Sequence, residues 1–168
     1  MTKRLILTRH AKSSWDDPLT PDHDRPLNER GNAAAADLGD WLASRGYIPE
    51  EVLCSDALRT RKTWSGVAPA LPGTPILNLK PALYLAGPDV MLAVLRHAVA
   101  DTVMIIGHNP GIAEFAAKLA ATRPVSAEFS RYPTGATLVM DFVISSWDQA
   151  GWGLGTTLDF VIPRELAV

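Results

Sequence analysis

Residues Leu5-Ile6-Leu7-Thr8 form an apolar run without alternation, and it stops abruptly on Arg9-His10. A strand can be apolar along its whole length only where both faces are covered, as in a parallel strand of an α/β sheet. In open sheets of that kind ligands bind beyond the carboxyl ends of the strands. A first strand ending in Arg-His therefore sets a cation and a nucleophile where a ligand sits. Taken alone, the stretch also fits a strand that merely finishes in polar residues; the rest of the chain decides between the two.

The chain continues as an alternation of strands and helices. Ser13 to Asp24 is polar and carries Pro18 and Pro21, so it is a loop, lying over the end of the first strand. A helix is expected from about Leu27 to Arg45, with Leu38, Trp41 and Leu42 on one face and Gly46 as its stop. Glu51 to Ser55 is a second strand. Ser55 or Asp56 is placed to cap a helix over Ala57 to Val67. Ile76 to Leu79 is a weaker strand, and Pro88 opens a helix with Val90, Met91, Val94, Leu95 and Ala98 as its apolar face. Thr102 to Ile106 is the clearest strand. Asn109 as N-cap and Pro110 at the first helical position follow it. After a long loop, Ser126 to Gly135, two strands (Thr137 to Val143 and Thr156 to Ile162) flank a glycine-rich segment and read as a hairpin. The expected fold is α/β: a three-layer α/β/α sandwich with a mainly parallel central sheet and a C-terminal antiparallel hairpin. No repeat or linker divides residues 1–168, which read as one domain.

Charge and cysteine content narrow the function. The net charge is −2, so no basic field holds a nucleic acid backbone. An anion site must be a local cluster of cations. Cys54 is the only cysteine, which leaves no disulfide framework or Cys-based zinc site and fits a reducing, cytoplasmic setting. No apolar run approaches the ~18 residues of a membrane span.

Three strand ends carry related chemistry: Arg9-His10 after the first, Arg59 shortly after the second, and His108 after the fourth. Parallel strands present these ends on one edge. Two histidines and two arginines would then meet beside helix N-termini, which favour anions. That is a phosphate site by composition, and without acidic pairs or cysteines it does not resemble a metal centre.

Here the sequence resembles the histidine phosphatase superfamily, the phosphoglycerate mutase-like proteins. Leu7-Thr8-Arg9-His10 is similar to its Arg-His signature, and Arg25-Pro26-Leu27-Asn28-Glu29-Arg30-Gly31 to the segment opening its first helix. Ser55-Asp56-Ala57-Leu58-Arg59-Thr60-Arg61-Lys62-Thr63 matches its Ser-x-x-x-Arg-x-x-x-Thr segment, and Gly107-His108-Asn109-Pro110 the segment of its second histidine. The short chain, Asp24-Arg25-Pro26-Leu27 and Arg9 to Trp15 resemble the SixA-type phosphohistidine phosphatases.

The resemblance implies roles. His10 is the nucleophile and becomes phosphohistidine; Arg9 and Arg59 bind phosphoryl oxygens; a protonated His108 donates to another; Arg25 adds a cation at the pocket or its mouth. No metal or cofactor is implied. Larger members carry a glutamate or aspartate acid for an alcohol leaving group. Here Lys80 to Asp89 holds no glutamate, so Tyr84, Asp89 or no residue fills that place. A missing acid, worth roughly 10²–10⁴-fold, fits a substrate with a labile P–N bond. The implied partner is a phosphorylated protein, a phosphotransfer domain or phosphotransferase component. The rivals are a small phosphate ester cleaved on the same scaffold and a phosphate-binding module without catalysis.

The remaining polar residues read more plainly. His23 is expected to be solvated in its loop and His97 to lie at the surface; Lys12 is placed equally well for phosphate or for solvent. Arg61 and Lys62 form a solvated face or meet a substrate protein. Trp41 and Trp64 fit core faces, and Trp15 lies over the site. Gly151 to Gly155 follows no strand-to-helix pattern and carries no nucleotide-binding weight.

Overall fold

In the computed structural model, which describes residues 1–167, the first apolar run lies in strand β1, Lys3–Arg9. Helix α1, Glu29–Arg45, leads to β2, Glu51–Cys54, and α2, Leu58–Val67, leads to β3, Ile76–Leu79. Helix α3, Pro88–Arg96, precedes β4, Thr102–Gly107, which is followed by α4, Gly111–Leu119. Strands β5, Thr137–Phe142, and β6, Thr156–Val161, precede a final turn of helix, α5, Pro163–Leu166.

The six strands form one sheet in the order β3-β2-β4-β1-β5-β6. β1 to β4 run parallel to one another, and β5 pairs antiparallel to β1 and to β6. The expected mainly parallel sheet with an antiparallel C-terminal hairpin is the one observed. Two apolar layers sandwich it. Leu5, Leu7, Val103 and Ile105 pack on one face with α3 and α4; Ile6, Val52, Met104 and Ile106 pack on the other with α1 and α2. Because both faces are covered, the central strands need no alternation, and each fully buried Leu or Ile contributes about 1.5–3 kcal/mol. β3 is one of the two edge strands; Ile76 and Leu79 remain exposed there, consistent with its weaker sequence signal.

Two helix starts differ from expectation, and both differences involve the site. The residue before α2 is Ala57, with no side-chain cap. The Ser55 hydroxyl lies against His108 and the Asp56 carboxylate against His23. The residue before α4 is Pro110, one position beyond the expected cap. Asn109 donates from Nδ2 to the carbonyls of Arg131 and Tyr132, and its Oδ1 reaches only the N–H of Ala113. α1 begins two residues later than expected: Asn28 is the cap, accepting from the Gly31 N–H at 2.8 Å. Val90, expected on the inner face of α3, is exposed.

Two glycines set how closely the helices approach the strand ends. A Cβ at Gly31 would stand 2.0 Å from the Lys12 carbonyl oxygen, and one at Gly111 1.7 Å from that of Ala86. Among the described residues no helix is long and apolar enough to cross a membrane.

Candidate active site

Strand register brings the histidines together. Arg9 is level with Gly107 in the parallel pair β1–β4, so His10 and His108 each stand one residue beyond neighbouring strand ends. Their ring centroids are 5.4 Å apart. β2 flanks β4 on the other side, with Cys54 level with Ile106, and the Ser55 N–H continues the ladder to the Ile106 carbonyl. Ser55 therefore stands next to His108. Arg59, in the first turn of α2, reaches back over the same edge.

A cleft of about 320 Å³ opens there, lined by Arg9, His10, Arg25, Arg59 and His108. The structure thus gathers all five sequence-derived candidates. Lys12, Trp15, Leu85 and Asn109 complete much of the wall.

His10 is 5% exposed. Its Nδ1 lies 2.7 Å from the Ala11 carbonyl oxygen, which can only accept, so Nδ1 carries the proton and Nε2 the lone pair. The residue bearing that carbonyl is itself held. Thr63 Oγ1 accepts the Ala11 N–H at 2.9 Å and donates to the Arg59 carbonyl at 2.8 Å. The four-residue spacing from Arg59 to Thr63 is one helical turn, so one face of α2 both presents Arg59 and fixes the residue whose carbonyl orients His10. Burial, aided by Arg9, His108 and Arg59, pushes His10 down to about 3, leaving the imidazole neutral.

His108 is 2% exposed, with Nε2 2.8 Å from Ser55 Oγ. Burial first, and then Arg59, pushes it down to about 4. The protonated form expected for His108 is therefore not that of the unliganded site. A neutral ring still donates: when the Ser55 hydroxyl gives its proton to Nε2, the hydrogen of His108 sits on Nδ1. Ser55 Oγ meanwhile accepts the Ala57 N–H at 3.3 Å.

Arg9 and Arg59 are partly committed. Arg9 Nη1 donates to the Tyr132 carbonyl at 3.2 Å. Arg59 donates from Nη1 to the Asp22 carbonyl at 2.7 Å and from Nη2 to Asp22 Oδ2 at 3.0 Å. Three buried polar atoms have no hydrogen-bond partner among the described residues: Arg9 Nε, Arg59 Nε and His108 Nδ1. Buried donors without partners are rare and costly. These three all belong to cleft-lining residues. Burial, and Arg59 close by, also push Arg9 below its ordinary value. Two guanidiniums held together gain from an anion between them. Among the described residues, no group of three or more His, Cys, Asp or Glu is arranged to hold a metal ion.

The loop over the site contributes residues the sequence did not single out. Asp22 lies in a short 3-10 turn, Asp22–Asp24, and accepts from Arg59, from Arg25 Nε at 3.2 Å and from the Tyr84 hydroxyl at 2.5 Å. The Tyr84 hydrogen bond first, then Arg59, holds the Asp22 carboxyl down at about 2. Arg25 is buried; its Nη1 donates to Ser13 Oγ at 2.7 Å, and its guanidinium lies 3.5 Å from the Trp15 ring centroid. Arg25 thus ties the loop down while lining the cleft. His23, expected to be solvated, instead pairs with Asp56 at 3.0 Å, which raises it from its ordinary value, and packs edge-on against Tyr84. Tyr84 in turn stands edge-on to His108, centroids 5.4 Å apart. Burial first, and then Asp22, raise the Tyr84 phenol. Asp89 is exposed in the first turn of α3 and does not line the cleft. His97 is exposed, as expected. The signal that could have found Ser55 and Thr63 was their place in the strand-to-helix segment around Arg59; nothing comparable marked Asp22.

Comparison with known proteins agrees with this geometry. The sequence model of the histidine phosphatase superfamily (branch 1) matches residues 5–81. An uncharacterised chloroplast protein of Arabidopsis thaliana is 36% identical over 172 residues, spanning 92% of this chain and 76% of its own. A solved protein of Nakamurella multipartitia, put forward as the phosphohistidine phosphatase SixA, is 29% identical and superposes with a TM-score of 0.79 over 97% of each chain. One from Agrobacterium tumefaciens, put forward likewise, is 27% identical with a TM-score of 0.79, covering 96% of this chain and 98% of the other.

Proposed function

The chain belongs to the histidine phosphatase superfamily, in its SixA-like branch, and on that premise we propose that it is a metal-independent phosphatase that removes phosphate from phosphohistidine on a protein. The observation that carries this reading is the His10 tautomer. The Ala11 carbonyl fixes the proton on Nδ1, so the Nε2 lone pair is the one free to attack phosphorus.

In the first half-reaction a P–N bond forms at His10 Nε2 as the bond from phosphorus to the substrate imidazole breaks. The departing imidazole takes a proton from solvent. In the second, water attacks phosphorus, the bond to His10 breaks and inorganic phosphate leaves. Arg9, Arg59 and His108, which line the cleft, donate to the phosphoryl oxygens. Stabilising charge there is the main requirement of phosphoryl transfer. Arg25 adds a cation at the mouth and holds the loop.

The substrate class follows from the leaving-group side. Asp22 is held ionised and cannot serve as an acid; Tyr84 is bonded to it, with its phenol raised. An alkoxide would leave poorly from such a site. An imidazole leaving group matches the imidazole nucleophile and protonates readily from solvent. Cys54, buried with its thiol pushed up to about 12 chiefly by that burial, is compatible with the cytoplasm we assign to the protein.

The test is a direct competition of substrates. A phosphohistidine peptide and an aryl phosphate are assayed side by side for phosphate release. The reading requires a clear preference for the peptide; a preference for the ester makes the protein a phosphomonoesterase on this scaffold.

A further inference from the structure

We propose that a cationic groove beside the catalytic cleft, formed by Arg30, Arg131 and Arg164, seats an acidic segment of the phosphorylated protein substrate; this rests on the phosphohistidine reading above. The groove has a volume of about 260 Å³. It shares Lys12 and Thr134 with the cleft, so the two are adjacent. A polypeptide with its phosphoryl group at His10 passes into the groove over those two residues.

Three distant segments build the groove. Arg30 is in the first turn of α1, Arg131 in the loop before β5, and Arg164 in α5, just after β6. The loop bearing Arg131 is fastened to the nucleophile's strand. Tyr132 is buried and its hydroxyl donates to the Leu7 carbonyl at 2.6 Å, while the Gly135 N–H donates to the His10 carbonyl at 2.9 Å. Ile162, buried, supplies an apolar floor.

The charge of the groove is opposite to that of the whole chain. Four cations, Lys12 included, face one carboxylate, Glu128, in a protein of net charge −2. Glu128 Oε1 lies 3.5 Å from Arg131 and 3.9 Å from Arg164. It steadies both guanidiniums, yet their side chains stay 77% and 75% exposed, with donors left for a ligand. A planar guanidinium presents a fork that matches a carboxylate.

A polypeptide suits the surroundings better than a small ester. Trp15 and Leu85 line the cleft and are 74% and 56% exposed, and Leu19 of the same loop as Trp15 is 89% exposed. Trp and Arg are residue types enriched where proteins meet proteins. An ester filling only the cleft would leave both the apolar wall and the groove unused.

The experiment uses two phosphohistidine peptides of one length, with either Glu or Gln flanking the phosphohistidine. Against wild-type protein the Glu peptide is expected to have a KM about tenfold lower at similar kcat, since three exposed ion pairs give about twofold each. The triple variant Arg30→Gln, Arg131→Gln, Arg164→Gln abolishes that preference. It leaves KM for the Gln peptide and hydrolysis of phosphoramidate unchanged. Glu128→Gln acts in the opposite direction, lowering KM for the Glu peptide about twofold, which misfolding cannot mimic. An unchanged preference in the triple variant overturns the proposal. So does a triple variant that loses turnover of a bisphosphorylated small molecule but not of the acidic peptide. If wild type hydrolyses neither peptide, fluorescence anisotropy of the labelled Glu peptide separates the two claims. Arginine-dependent binding then sustains the groove while the phosphohistidine reading falls; arginine-independent binding removes both.

Discussion

On one wall of the cleft His10, Ser55 and His108 each stand one residue past the end of a strand, and Arg59 lies one turn further on at a helix start. All four are buried; a backbone carbonyl, an N–H group and a hydroxyl orient His10, Ser55 and His108, and Asp22 orients the Arg59 guanidinium. On a second wall, just behind the residues that line the cleft, Asp22, His23 and Tyr84 stand on loops, with the Asp22 and His23 side chains 45% and 37% exposed. Their orientation comes from side-chain pairs: Asp22 accepts from Tyr84, Arg25 and Arg59, and His23 pairs with Asp56. The first wall is rigid because a parallel sheet fixes it, and dry because it is buried. Both properties suit the phosphoryl group of the proposed reaction, which is the same in every substrate. The second wall is wet and is held by charge, which suits a leaving group that differs from one substrate to another.

Removing a donor from the rigid wall should have the largest effect. Arg59→Ala should lower kcat/KM for a phosphohistidine peptide by about 10²–10³-fold, the usual loss for one donor aimed at developing charge. It should also release Asp22, so a loss under tenfold would mean that Arg59 serves the loop more than the phosphate.

The two buried histidines make the rigid wall acid-sensitive. Both have folded-state values below the unfolded 6.5, so the unfolded chain binds more protons and stability falls as the pH drops. Their contribution is fully present above about pH 6.5 and is lost towards pH 4 for His108 and pH 3 for His10. By pH 5 each should cost roughly 2 kcal/mol. Urea unfolding between pH 7 and pH 5 measures the slope, and His108→Asn should halve it; an unchanged slope would mean that His108 is exposed to solvent.

Thr63→Val tests the support behind the nucleophile. It leaves the buried Ala11 N–H unpaired, which costs about 1–3 kcal/mol of stability. Turnover should fall about tenfold with KM little changed, as expected when a nucleophile is present but less well aligned. A larger rise in KM than fall in kcat would place Thr63 in substrate binding instead.

The smallest effect should come from the wet wall. Tyr84→Phe should change turnover of a phosphohistidine peptide by less than about threefold, because no acid is needed there. A general acid is worth roughly 10²–10⁴-fold, so a drop of 10² or more would make Tyr84 the proton donor and undo the argument for a P–N substrate.

The same division explains what the sequence disclosed. Strand-and-helix alternation located Arg9, His10, Arg59 and His108 on one edge, because residues at the ends of parallel strands have nowhere else to be. The antiparallel hairpin was legible from its turn residues. Asp22 was not, since a loop containing Pro18 and Pro21 has no period from which to read a position. The helix caps failed for a related reason. Ser55, Asp56 and Asn109 have good capping side chains, but tertiary partners (His108, His23 and the loop before β5) outbid the local backbone. Sequence spacing weighs only local bonds, so it assigns such residues to caps when the fold has used them in the site. The neutral state of His108 likewise depends on burial and on Arg59, neither visible along the chain.

The central claim is that His10 Nε2 takes the phosphoryl group. Incubating the protein with ³²P-labelled phosphohistidine peptide and quenching in base, where phosphohistidine survives, tests it most directly. The account predicts an acid-labile, base-stable label on the wild-type protein that is absent from His10→Ala and lost on standing as inorganic phosphate appears. Equal labelling of His10→Ala, or release of phosphate by wild type without any labelled intermediate, would contradict it.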